Sequence, residues 1–280
     1  MDLIERYLDK VDHLPPAPTV ALQLLDLFSD PDRDIDRIVQ LIKHDPSLTA
    51  ETLKSCNRGS MEPLSDMFEA VGRMGLYQIY AIVVSLMASR TMRLVRSQYS
   101  WDANRLWQHT VVTALISSTL AKRVQVVEAT AFTAGLLHDI GKLIFVSMEG
   151  VVYADIVRSA GHFGPRLVAA ESSVIGFTHA ALGARLLTRW GLPEGICCAV
   201  ELHHQSPTLT EKHLRLAAVV NFADALAHQI IDGSAHAADA AVASPQAMTL
   251  VELKAHDIPA LVQQINHDLP RVQGLLQMHA

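Results

Sequence analysis

Apolar residues recur every three or four positions along most of this chain, and the strict alternation that marks a half-buried strand is scarce. Leu3, Ile4, Tyr7, Leu8 and Val11 fall on one stripe while Asp2, Glu5, Arg6 and Asp9 face elsewhere, which predicts a surface helix over residues 1–12. The prolines of Leu14-Pro-Pro-Ala-Pro18 impose an extended entry into a helix from Val20 to Phe28, stopped at Ser29-Asp-Pro31. Asp34 is placed to cap Ile35–Lys43, with Ile35, Ile38, Val39 and Ile42 inward; Asp45 with Pro46 starts a helix that ends near Asn57 to Gly59. A helix from Asp66 to Met74 breaks at Gly75 and leads into an apolar segment through Met87, so five or six helices are expected before about residue 98.

The second part continues the helical period. A helix over Asn104–Lys122 sets His109 on the stripe of Val112, Thr113 and Ile116, and the next, from Glu128, carries Leu136, Leu137, His138 and Asp139. Gly141 is expected to loosen that helix and let a neighbour or ligand come close. After a loop at Gly161–Pro165 come Arg166–Val174, then His179–Trp190 capped by Thr178 and closed by Gly191. Pro193–His203 ends in the pair His203-His204, whose rings a fraying end would leave free to turn. Leu214–Ile231 places Asp224 on the face of Ala217, Val220, Asn221 and His228. Asp232–Gln246 reads as a surface linker, followed by Leu250–Ala255 and by Ile258–Gln277 with a break near Pro270.

Composition agrees with an all-α protein: of 280 residues half are hydrophobic and 5% aromatic, with Ala, Leu and Val in excess. The longest apolar run, Ile79–Ser89, is too short to cross a bilayer, and Met-Asp-Leu-Ile-Glu-Arg lacks the pattern of a secretory signal, so a cytoplasmic location and no membrane partner are expected. Cys56, Cys197 and Cys198 fit free thiols. Trp101, Trp107 and Trp190 read as packing anchors. A net charge of -6 without a basic stripe disfavours nucleic acid as the main ligand.

Against this apolar background one stretch stands out, Gly135-Leu-Leu-His-Asp-Ile-Gly-Lys142. Burying His138 and Asp139 costs free energy unless they bond each other or nearby backbone, or share an ion. His109, His179, His203, His204 and Asp224 are further polar groups on inward faces or helix ends, and one shared pocket accounts for all seven. At a helix start, His179 is favoured in its neutral, ligating form. Imidazoles mixed with carboxylates suit a divalent ion such as iron, manganese, zinc or nickel better than calcium, and a set this large has room for two ions. His44, His162, His213, His228, His236, His256, His267 and His279 read as surface or packing residues, with His228 also a lesser candidate to support Asp224 one turn away. Glu201 reads as a charge on a helix face.

Leu14-Pro-Pro-Ala-Pro18, Asp45-Pro-Ser-Leu-Thr-Ala50, Leu53, Asn57 and Ala70-Val-Gly-Arg-Met-Gly75 resemble the first half of the HDOD family, the bacterial HD-related output domain, with Arg58–Pro63 shortened relative to the family's usual loop. The likeness covers nearly the whole chain and implies an N-terminal helical lobe over residues 1–100 and an HD-like helical lobe over 101–280. It also implies a regulatory, signal-transducing module that acts through a protein partner, in a family without demonstrated catalysis. The order His, His-Asp, Asp is similar to the HD phosphohydrolase superfamily, which assigns a core metal motif to His109, His138, Asp139 and Asp224. In the same comparison His179, His203 and His204 resemble the extra ligands of the HD-GYP cyclic-dinucleotide phosphodiesterases. If the chain is an enzyme, Lys142 matches the lysine that offsets phosphate charge there, and the substrate would be a nucleotide or cyclic dinucleotide. The Gly-Tyr-Pro loop of that branch is absent, since Asp224 is followed by Ala225-Leu-Ala-His-Gln-Ile-Ile-Asp.

Overall fold

Acidic caps and prolines divide the first third of the chain into short helices, and longer apolar stripes build the rest. The computed structural model describes residues 3–10, 19–30, 32–57, 62–94, 103–161, 164–205, 214–232 and 245–276. Among them are fifteen α-helices, two short 3-10 turns and no strand, so the fold is all-α.

The first six helices are α1 (Leu3–Leu8), α2 (Thr19–Ser29), α3 (Ile35–Lys43), α4 (Pro46–Cys56), α5 (Met67–Met74) and α6 (Leu76–Leu94). Asp34 and Asp45 cap as the sequence predicts, accepting from Arg37 N at 3.2 Å and Leu48 N at 2.9 Å. Each such cap is worth about 1 kcal/mol. Gly75, at φ 86°, turns the chain by 118° between α5 and α6. Ile38, Val39 and Ile42 are buried, but Ile35 is 44% exposed, because the first turn of α3 projects past the edge of the core. The Asn57 side chain closes the next turn by bonding both backbone groups of Leu64, at 2.8 and 2.6 Å; residues 58–61 of the shortened loop lie outside the described residues.

Then follow α7 (Ala103–Ala121), α8 (Glu128–Leu137), α9 (Ile140–Ala160), α10 (Pro165–Val174), α11 (His179–Arg189), α12 (Glu194–Leu202) and α13 (Leu214–Asp232), with α14 (Pro245–Leu250) and α15 (Ile258–Leu276) last. α8 and α13 flank α7, and α11 packs between α9 and α12. Two glycines set these approaches: a Cβ on Gly135 would lie 2.9 Å from Ala114 Cα in α7, and one on Gly141 would lie 2.0 Å from His179 O in α11. The helices that carry His109 and His179 are thereby drawn onto the His138-Asp139 turn. α6 meets α8 through the Tyr80 hydroxyl, 2.6 Å from Thr133 Oγ1, while α1 crosses to α11. One continuous core runs from Leu8 to Ile265 and includes Trp107.

α15 passes Pro270 without the expected break. Most of the linker expected at 232–246, Trp101, His162, His213, His236 and His279 fall outside the described residues. Among the described residues, Leu214–Ile231 alone could cross a membrane by length and composition, or up to three spans if each bent helix pair counts as one; 72% of the Leu214–Ile231 window is buried inside the protein.

Candidate metal centre

A break in the backbone makes the centre. α8 stops at Leu137 and α9 starts at Ile140, which corrects the expectation that one helix carries His138 and Asp139. Adjacent side chains on an unbroken helix diverge by about 100°, whereas the turn sends both into one pocket. His138 Nδ1 donates to the Gly135 carbonyl at 2.7 Å, using an acceptor that the end of α8 leaves spare. The end of α12 repeats the device, with His203 Nδ1 donating to Val200 O at 2.5 Å. A carbonyl only accepts, so both rings carry the proton on Nδ1 and turn Nε2 inward. These rings are therefore fixed rather than free to turn, and His204 is held as well, with Nε2 3.0 Å from His179 Nε2.

The seven expected donors converge, with Asp139 at the middle of the other six. Its Oδ2 lies 3.3 Å from His138 Nε2 and 3.9 Å from His109 Nε2, and Asp224 Oδ1 completes that side at 2.9 Å from His109 Nε2 and 3.7 Å from His138 Nε2. Its Oδ1 faces the other way, 3.2 Å from His179 Nε2 and 3.9 Å from His203 Nε2. Lys142 Nζ donates to Oδ2 at 2.7 Å. Every one of these side chains is buried except His204, which is partly exposed.

One member was not picked out from the sequence, and another only as a lesser candidate. Glu171 of α10 is fully buried and accepts from His179 Nδ1 at 2.7 Å and from the His179 backbone N at 2.9 Å; Tyr153 OH donates to its other oxygen at 2.8 Å. A carboxylate in this position orients an imidazole and raises its basicity toward an ion. Its one sequence signal is a shared helix face with buried Leu167. His228, read as a surface or packing residue, is buried with Nε2 3.1 Å from Asp224 Oδ1 and stacks on His109 at 4.0 Å between ring centroids, because it follows Asp224 by one turn of α13. Glu201, His44, His256 and His267 are exposed.

The electrostatics are those of a pocket built for positive charge. Burial works against the Asp139 carboxylate, but His138 and Lys142 hold it well below the usual range; Asp224 is held down likewise against burial by His228 and His109. Burial pushes His109 and His203 down to about 3, reinforced by His228 for the former and His138 for the latter. Burial works against the charged form of His138 too, but Asp139 and Asp224 together push it up to about 10. At His179 burial is outweighed by Glu171 and Asp139 together, which raise it, opposite to the direction expected of a helix start.

The donor chemistry fits divalent ions. His203 Nε2 is buried, has no hydrogen-bond partner among the described residues, and faces Asp139 Oδ1, another acceptor, at 3.9 Å. Ligands held about 2.0–2.2 Å from one ion are themselves roughly 3–4 Å apart, the spacing found here. The described donors fall into three overlapping groups: Asp139, His179, His203 and His204; His109, His138 and Asp139; and His109, Asp224 and His228.

A model of the HDOD domain matches residues 14–206. This chain belongs to the HDOD family. A Treponema pallidum protein named only as uncharacterized is 28% identical over 232 residues, covering 80% of this chain and 44% of that one. A ribonuclease Y from Acholeplasma laidlawii is 27% identical over 158 residues, 56% of this chain and 23% of the enzyme. The chain thus spans less than half the length of these curated relatives. An HDOD domain protein of unknown function from Geobacter sulfurreducens shares the fold, with a TM-score of 0.80 at 21% identity over 99% of this chain and 97% of its own. Asp224 and His228 lie beyond the segment that the HDOD model matches.

Proposed function

We propose that this chain is a signal-transduction module that holds two divalent ions in its second half and presents an ion-dependent surface to a protein partner. The observation that carries this reading is the Asp139 carboxylate, whose two oxygens face two separate groups of imidazoles. His109, His138 and Asp224 would hold one ion with Oδ2, and His179, His203 and His204 the other with Oδ1. Iron, manganese, zinc and nickel suit such donors. The ions would tie α7, the α8–α9 turn, α11, α12 and α13 together, so their binding free energy becomes conformational free energy. Ala21, Leu22 and Leu25 of α2 line an apolar cavity whose wall includes Asp139, which gives residues 1–100 a direct route to sense the ion-holding lobe of 101–280. Elemental analysis of protein purified without chelator should find about two ions per chain, and chelation should change amide exchange in α2. A chain that takes up no divalent ion ends this reading.

A second reading, metal-dependent hydrolysis of a phosphodiester in a nucleotide or cyclic dinucleotide, is favoured by Lys142 beside Asp139 and by relatives that bear the name ribonuclease Y. An ion there would polarise a phosphoryl oxygen. Lys142 would offset phosphate charge from Asp139's side. The burial of Lys142, His138 and His179 and the missing Gly-Tyr-Pro loop weigh the other way. Manganese-dependent release of nitrophenol from bis(4-nitrophenyl) phosphate, abolished in D139N, would reverse the order of the two readings.

A further inference from the structure

α1 stands before the segment matched by the family model, yet it is seated on the second half of the chain. Arg189 donates through Nε to Glu5 Oε2 at 3.0 Å and through Nη2 to Asp9 Oδ1 at 2.7 Å, and Arg185 Nη1 lies 3.3 Å from Glu5 Oε1. Two arginines one turn apart on α11 therefore grip two acids one turn apart at α1. Exposed pairs of this kind contribute only about 0–1 kcal/mol each, so charge selects the occupant without locking it in place. The apolar side supplies the anchor: the Tyr7 ring meets Phe177 and Phe145 edge-on, at 5.2 and 6.2 Å between centroids.

That seat is physically continuous with the centre. Phe145 touches Tyr153 at 5.1 Å between centroids, Tyr153 donates to Glu171 at 2.8 Å, and Glu171 holds the His179 ring. α11 itself carries His179 at one end and both arginines toward the other. Withdrawing Tyr7 would remove the ring that covers both Phe145 and Phe177, leaving them only each other and Tyr153, and would loosen the buried Tyr153–Glu171 pair behind them.

We propose that the α1 seat is a regulated docking surface for an acidic amphipathic helix with a central aromatic residue. α1 is its resident occupant, a partner helix of the same pattern displaces it, and occupancy is linked to the ion held on the His179 side. The link rests on the two-ion reading; the seat does not. Coupling of this kind is reciprocal, so the factor by which α1 tightens the ion is the factor by which the ion tightens α1.

The test uses the full chain and manganese as the probe ion. In the wild type, amide exchange across Leu3–Leu8 should slow on loading. In E5R/D9R, one ion should bind as in the wild type and the second about 5-fold or more weakly. Adding R185E and R189E, which restores the charge pairing with signs exchanged, should return the second ion to wild-type affinity. A labelled peptide of the sequence Leu3–Lys10 should bind E5R/D9R and leave the wild type unbound. Wild-type exchange in α1 that ignores manganese, or unchanged affinity for both ions in an E5R/D9R chain whose α1 exchanges fast, overturns the link. Failure of the peptide to bind that same chain overturns the seat. A wild type that binds no manganese defeats the two-ion reading instead, and the peptide measurement still decides the seat.

Discussion

Replacing Gly141 with alanine tests the argument that a missing side chain brings the ion ligands together. The added Cβ would lie 2.0 Å from His179 O, 2.8 Å from His179 C and 3.0 Å from Gly183 N, all backbone atoms that cannot rotate away. Reaching even the 3.0 Å below which such contacts essentially do not occur requires α9 and α11 to part by 3.0 − 2.0 = 1.0 Å. His179 Nε2 and Asp139 Oδ1, 3.2 Å apart, sit on those two elements and would open by a comparable amount, about twice the 0.5 Å that a ligand constellation tolerates. Overpacking costs about 1–3 kcal/mol, and the helical preference for alanine over glycine returns roughly 0.5–1 kcal/mol. The net loss, up to about 2.5 kcal/mol, corresponds to a melting point lower by up to roughly 10 °C. Calorimetry and elemental analysis on the same sample should find a less stable chain that has lost the ion on the Oδ1 side. Gly72, which has nothing within 4 Å of its Cβ position in α5, is the control; G72A should gain about 0.5–1 kcal/mol. A G141A chain that melts at or above the wild type with its ions in place would refute the reasoning.

Elemental analysis should separate the two positions: H204A keeps one ion, H109A keeps the other, and D139N keeps neither. E171Q should weaken the ion on the His179 side by about 10–100-fold, read by manganese titration, and equal affinity would remove Glu171 from the centre. In the chelated chain, His138 has a folded pKa of about 10 against 6.5 unfolded, so its contribution is complete below about 6.5 and lost as pH rises through 10. Melting points of chelated protein should therefore fall across that window, and a rise would contradict the assignment. D45A should cost about 1 kcal/mol by denaturant titration through loss of the α4 cap, and a change near zero would show the cap to be replaced by water.

Polar groups on apolar stripes made most of the centre legible. His109 among Val112, Thr113 and Ile116, and Asp224 among Ala217 and Val220, contrast with their surroundings, and that contrast is what burial enforces. Glu171 offers none, because Arg166, Ser172 and Ser173 make α10 polar around it, and its partner lies on the next helix. The break at His138-Asp139 was equally hidden. Neither residue is a helix breaker, and the turn forms because the tertiary pocket satisfies both side chains at once. The seating of α1 on α11 depends on ion pairs more than 175 residues apart in sequence, which local periodicity cannot register. Caps were the easiest to read, since Asp34 and Asp45 act within three residues of themselves.

The two donor groups do not become available at the same moment in the life of the chain. As the protein emerges from the ribosome, Asp139, His179, His203 and His204 are complete just after α12, while the His109 side has only His109, His138 and Asp139 until α13 adds Asp224 and His228 to the proposed ligand set. Nascent protein therefore passes through a stage with one full ligand set and one partial one. A fragment cut at residue 206, where the family match stops, would be arrested at that stage.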